Sequence, residues 1–105
     1  MIDRRSFVKK LLSNRKDNLR VVSGLGTSTW DLMSAGDDKR NFGFIGAMGQ
    51  AVPFALGLSI AKPNLRIVLF TGDGDMLMSL GSMATLANHP MSNLTVLVMD
   101  NESYV

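Results

Sequence analysis

Asp73 and Asn101 are the residues whose types and settings point to chemistry. Asp73 lies in Gly72-Asp73-Gly74-Asp75, at the end of the apolar run Leu65-Arg66-Ile67-Val68-Leu69-Phe70-Thr71. Asn101 follows Asp100 at the end of a second run, Asn93-Leu94-Thr95-Val96-Leu97-Val98-Met99. Both runs read as buried strands, and residues 77–89 between them have helical spacing. In a parallel α/β sheet the two strands deliver their polar ends to one edge, the edge where ligands bind. A carboxylate and an amide oxygen then face each other across neighbouring strand ends. Two hard oxygen donors beside glycine-exposed backbone suit Mg²⁺ holding a diphosphate.

Plainer readings stand beside this one. Asp73 is also a good turn or capping residue ahead of a helix. Asp73-Gly74-Asp75 faintly resembles a calcium loop, but the strand before it and the missing glutamate at the loop's end argue against one. Gly24-Leu25-Gly26-Thr27-Ser28 invites comparison with a dinucleotide fingerprint, yet Thr29 stands where the third glycine belongs. The next strand, ending Phe44-Ile45-Gly46, brings no acid for a ribose. As a diphosphate loop at a helix N-terminus the same stretch needs only backbone N–H groups and a hydroxyl, which Gly26 and Thr27 supply. The absence of Gly-Lys-Ser/Thr excludes a P-loop, and Ser23, Ser79 and Ser82 lack a base partner for a hydrolase triad. The single histidine, His89, sits before Pro90 at a helix C-terminus and reads as solvated or dipole-stabilised. Trp30 and the methionines read as packing residues.

Gly72-Asp73-Gly74, a spacer over residues 75–100, and Asn101 together resemble the signature of thiamine-diphosphate enzymes. Gly46-Ala47-Met48-Gly49 is similar to the glycine-bounded turn of the thiamine-diphosphate decarboxylases, and Gly26-Thr27-Ser28 falls in the order expected of their diphosphate-binding (PP) domain. The likeness runs from about residue 18 to the end, and is strongest to sulfopyruvate and phosphonopyruvate decarboxylases. It implies a parallel-sheet α/β fold of βαβ units with helices on both faces. Thiamine diphosphate and Mg²⁺ are the implied cofactors, with Asp73, Asn101 and the Ser103 carbonyl on the metal. Gly26, Thr27, Gly72, Gly74 and Asp75 lie around the phosphates, Asp75 through its backbone. The Gly46 carbonyl and the Met48 N–H meet the aminopyrimidine, with the Met48 side chain wedged between the cofactor's rings, a place that suits a polarisable thioether. Asp75 stands where the family more often carries serine.

The resemblance further implies decarboxylation of a small 2-oxo acid, with the cofactor as electron sink. The glutamate that activates the pyrimidine belongs to the family's other (PYR) domain, so no catalytic residue is expected in this chain. A hetero-oligomer with a PYR-domain subunit is expected, the cofactor lying at the interface. Other readings are a piece of an acetolactate-synthase-like or oxidoreductase thiamine enzyme, or a non-catalytic remnant. The chain reads as a PP domain cut short at its C-terminus, because Asn101 to Val105 stand where the family continues into a metal-clasping loop.

The elements that must position these residues follow from pattern. Asp3 to Lys16 forms an amphipathic helix, with Phe7, Val8, Leu11 and Leu12 on one side, within an N-terminal segment of residues 1–17. Residues 18–105 hold the binding domain: strand 19–23, helix 27–35, strand 41–45, helix 47–61, then the strand, helix and strand already named. Met48, Val52, Leu56 and Ile60 form an apolar stripe on the longest helix. With 105 residues, 46% of them hydrophobic, the chain can build one modest core. A net charge of +2 with 19% charged residues suggests no nucleic-acid surface. The basic residues of the first twenty positions, interspersed with Asp3 and Asp17, read as a solvated helix face. No cysteine fits a reducing compartment, and no apolar stretch is long enough to span a membrane. The basic N-terminus lacks the apolar region of a secretory signal, so the expected location is cytoplasmic.

Overall fold

A computed structural model describes residues 3–24, 27–36 and 38–99. Nine elements follow in order: α1 (Arg4–Leu12), β1 (Leu19–Ser23), α2 (Thr27–Ser34), β2 (Asn41–Gly43), α3 (Ala51–Ala61), β3 (Arg66–Gly72), α4 (Asp73–Met78), α5 (Leu80–Asn88) and β4 (Leu94–Met99). The strands form one four-stranded, all-parallel sheet in the order β2-β1-β3-β4. The chain winds from β1 outward to β2, then returns to the far side of β1 for β3. The order therefore reverses between β1 and β3, and a crevice opens there at the strands' C-terminal ends.

Strand alternation divides the core into two layers, as a sheet covered on both faces requires. Val22, Ile67 and Leu69 point to the α3 side, where Ala51, Val52 and Ala55 meet them and Leu86 of α5 closes in. Val21 and Phe70 point to the other side, against Leu32 of α2 and Val8 of α1. Helices thus cover both faces. No helix among the described residues is long and apolar enough to cross a membrane.

Several boundaries differ from the sequence reading. α1 ends at Leu12, where Ser13 turns extended, and Leu11 points to solvent while Val8 is buried. α3 starts at Ala51 rather than at residue 47, so Met48 belongs to a loop and not to the helical stripe. Val52 and Leu56 are core residues, whereas Ile60 is exposed. The helix expected over 77–89 begins earlier, at Asp73, and breaks at Ser79. The buried Ser79 hydroxyl donates to the carbonyls of Asp75 and Met76, satisfying the end of α4 and competing with its continuation. Trp30, on α2, is 54% exposed.

Candidate functional site at the strand ends

Parallel register sets the site. Ser23 stands beside Gly43 on one side and Phe70 on the other, and Gly72 stands beside Met99. All four strands therefore finish at one edge, and the turns that follow them gather there. Asp73 leaves β3 directly into the first turn of α4, where an acid complements the helix dipole. Its carboxylate is half-buried, with Oδ1 accepting from the Gly74 N–H at 3.0 Å. Oδ2 receives no hydrogen bond from the described residues, which leaves it available as a hard oxygen donor. β4 reaches the same edge at Met99, while Asn101 and Ser103, like Gly26, lie outside the described residues. Among the described residues no group of three or more His, Cys, Asp or Glu side chains gathers as a metal cluster. Thr27 is the first residue of α2.

Gly46 and Gly72 both face open space: a Cβ at either would meet no heavy atom within 4 Å. Backbone is thus accessible at the end of β3 and in the loop entering α3. That loop has an unusual course, with Ala47 at φ 61° and Gly49 at φ 87°. A non-glycine residue in the left-handed region is uncommon and marks a local conformation held by its surroundings. Met48, between them, is half-buried.

Asp75 is the residue that does the holding. The residue is 6% exposed, and its carboxylate turns inward to Gly49 and Thr71 rather than toward the open edge. Oδ1 accepts the Gly49 N–H at 2.5 Å, and Oδ2 accepts the Thr71 hydroxyl at 2.6 Å. Gly24 presses on the same group: a Cβ there would stand 2.4 Å from Oδ2 of Asp75 and 2.7 Å from Oγ1 of Thr71. One side chain therefore joins the end of β3 to the loop before α3, with Gly24 packed close beside it.

Thr29 and Thr71 escaped sequence reasoning. The Thr29 hydroxyl bonds to the Gly24 carbonyl at 2.9 Å, the Phe44 carbonyl at 2.7 Å and the Ser23 hydroxyl at 3.0 Å. It fastens the ends of β1 and β2, as Asp75 fastens β3 to the loop before α3. A threonine in a helix or at a strand end carries no local signal for such a role. His89 caps the C-terminal end of α5, exposed and away from the strand-end turns.

Residues 25–105 match the family described as thiamine pyrophosphate enzyme, C-terminal TPP binding domain. The chain is 34% identical over 104 residues to the sulfopyruvate decarboxylase subunit beta of Methanothermobacter thermautotrophicus, covering 99% of this chain and 55% of that protein. It is 38% identical over 94 residues to the phosphonopyruvate decarboxylase of Streptomyces viridochromogenes, covering 90% of this chain and 23% of that one. Among solved structures, a 2-oxoglutarate:ferredoxin oxidoreductase from Magnetococcus marinus superimposes with a TM-score of 0.73 at 26% identity, covering 96% of this chain and 34% of the other. The chain thus spans about half the length of the beta subunit it matches, and less of the others.

Proposed function

Since the chain belongs to the thiamine pyrophosphate enzymes and carries their C-terminal TPP-binding domain, we propose that it is the cofactor-holding part of a 2-oxo acid decarboxylase of the sulfopyruvate/phosphonopyruvate type. The observation that carries the reading is the Asp73 carboxylate at the end of β3, one oxygen unengaged by the described residues, directly after the open backbone of Gly72. The site fits the group: a hard oxygen donor for Mg²⁺, and backbone close enough to an open face to meet a diphosphate.

In this reading Asp73, with Asn101 and the Ser103 carbonyl, holds Mg²⁺, and the metal clamps the diphosphate. Gly26, Thr27, Gly72, Gly74 and the backbone of Asp75 surround the phosphates. Gly46 and Met48 receive the pyrimidine end. Thiamine diphosphate supplies the nucleophilic carbon and the electron sink that let a 2-oxo acid release CO₂. The chain's own residues bind and orient. The activating glutamate is supplied by a PYR-domain partner, and the sulfopyruvate decarboxylases named as beta subunits support a second subunit. So do the exposed apolar residues Ile45, on the loop before α3, and Leu77, Met78 and Leu80, on α4 and at the start of α5, surface suited to burial against another protein. The cytoplasm is the proposed location.

A titration tests the reading. Thiamine diphosphate with Mg²⁺ binds saturably, and Asp73→Ala weakens it by more than the 10- to 100-fold typical of losing a group that merely supports a metal ligand. Absence of saturable binding at millimolar ligand overturns it in favour of a non-catalytic remnant. The oxidoreductase superposition supports a second reading, in which the same site serves oxidative chemistry. Reduction of an electron carrier by the assembled enzyme distinguishes it from simple CO₂ release.

A further inference from the structure

We infer that Asp75 is a positioning residue: its buried carboxylate sets the Gly46–Gly49 loop against the Gly72–Gly74 turn, and so fixes the spacing between the two ends of the cofactor cleft. The inference rests on the thiamine-diphosphate reading, but concerns a side chain that does not face the cofactor's side of the edge. The carboxylate of a residue that is 6% exposed must be hydrogen-bonded to be tolerated, and here both oxygens are used. Oδ1 takes the Gly49 N–H and Oδ2 the Thr71 hydroxyl, both charge-assisted bonds. No ion pair among the described residues involves Asp75. Its role is thus directional rather than a matter of neutralising charge.

The loop needs such a hold. Left-handed backbone at Ala47, a non-glycine residue, persists only where the surroundings impose it. From the other side Gly49 is packed on α4, where a Cβ would come within 3.0 Å of the Met78 Cβ and 3.2 Å of its backbone. Gly49 is therefore pinned to α4 at two points, Asp75 and Met78, while Asp73 opens the same helix. Both grips on the cofactor are mounted on one short element, and Asp75 is the polar part of the mounting.

The test separates the two ends of the ligand. Inorganic pyrophosphate with Mg²⁺ probes the diphosphate end alone, whereas thiamine diphosphate with Mg²⁺ probes both. In the full chain, Asp75→Ala is expected to weaken thiamine diphosphate about tenfold or more, in the range of lost supporting contacts. Magnesium pyrophosphate is expected to lose much less, and the Gly49 amide to exchange with solvent faster in the ligand-free chain. Asp75→Asn, which keeps an acceptor for the Gly49 N–H, restores most of both. If Asp75→Ala does not fold, Thr71→Val removes one of the two bonds and is expected to shift the same readouts less. Unchanged Gly49 exchange and an unchanged ratio of the two affinities in the folded variants overturn the positioning role and leave the cofactor reading intact. A wild-type chain that binds neither ligand overturns the cofactor reading, and the positioning role with it.

Discussion

Asp73 and Asp75 stand two positions apart and do different work because backbone direction differs at each. Asp73 is the first residue of α4, half-buried at the open edge; Asp75 is two residues on, little more than half a turn round the helix, with its side chain carried under the Gly46–Gly49 loop. Nothing in the string Gly-Asp-Gly-Asp separates them. What separates them is the identity of the neighbours, Gly49 and Thr71, drawn from other elements. Gly49 is the sharpest residue-scale case. Its φ of 87° suits glycine, and a methyl group there would press tightly on Met78, 3.0 Å from its Cβ and 3.2 Å from its backbone. Gly49→Ala is expected to destabilise the protein by about 1–2 kcal/mol from backbone conformation alone, with the collision adding to it. Urea unfolding measures the loss, and wild-type stability would refute the assigned conformation.

Among the elements, α3 shows how a helix is closed by a residue distant in sequence. Pro53 is tolerated because it falls in the first turn, where its missing N–H would have had no partner. The other end is satisfied by Asn93, whose Nδ2 donates to the carbonyls of Ser59, Lys62 and Leu65. One amide thus joins the close of α3, the start of β3 and the start of β4. Asn93→Leu leaves those carbonyls with weaker partners and is expected to cost about 1–3 kcal/mol, read as a lowered denaturation midpoint with an unchanged slope. The sequence presented Asn93 only as a strand-opening residue. The strands β1, β3 and β4 were legible because each carries an apolar run, whereas β2, expected over 41–45, is the three residues Asn41–Gly43 with Phe42 alone apolar. The start of α3 and the break at Ser79 were not, because both depend on hydrogen bonds and contacts made after the helices have docked.

At the scale of the whole molecule, an ionic network ties α1's exit to the sheet. Arg40 forks onto Asp38 at 2.9 and 2.7 Å, and Arg15 reaches Asn41 at 2.7 Å and the Leu19 carbonyl at 3.0 Å. The Arg40 hydrogen bonds hold the Asp38 carboxyl well below the usual carboxylate range. A carboxylate depressed in this way stabilises the fold above its unfolded pKa of about 4, and the contribution is lost as pH falls toward the folded value. Asp38→Asn is therefore expected to lower Tm at pH 7, with the difference from wild type shrinking below about pH 4. A constant difference across that window would contradict the network's role. Burial lowers the Arg15 guanidinium's pKa as well, which for a cation disfavours the charged form, and its Nε is buried without a hydrogen-bond partner among the described residues.

By itself the sequence determined the class of fold and the edge at which the site lies. Apolar runs of strand length alternating with helical spacing allow few arrangements but a parallel sheet, and such a sheet brings every strand's exit to one side. The same local chemistry marked Asp73, because a carboxylate between glycines at a strand exit is readable without knowing its neighbours. Tertiary structure alone decided which polar side chains face the ligand edge and which face inward. Asp75, Thr29 and Thr71 acquire their roles through partners between 4 and 26 positions away, or across the sheet. Hydrogen bonds of that kind depend on distance in space, and residue spacing along the chain does not encode it until the strands have paired and the helices have packed.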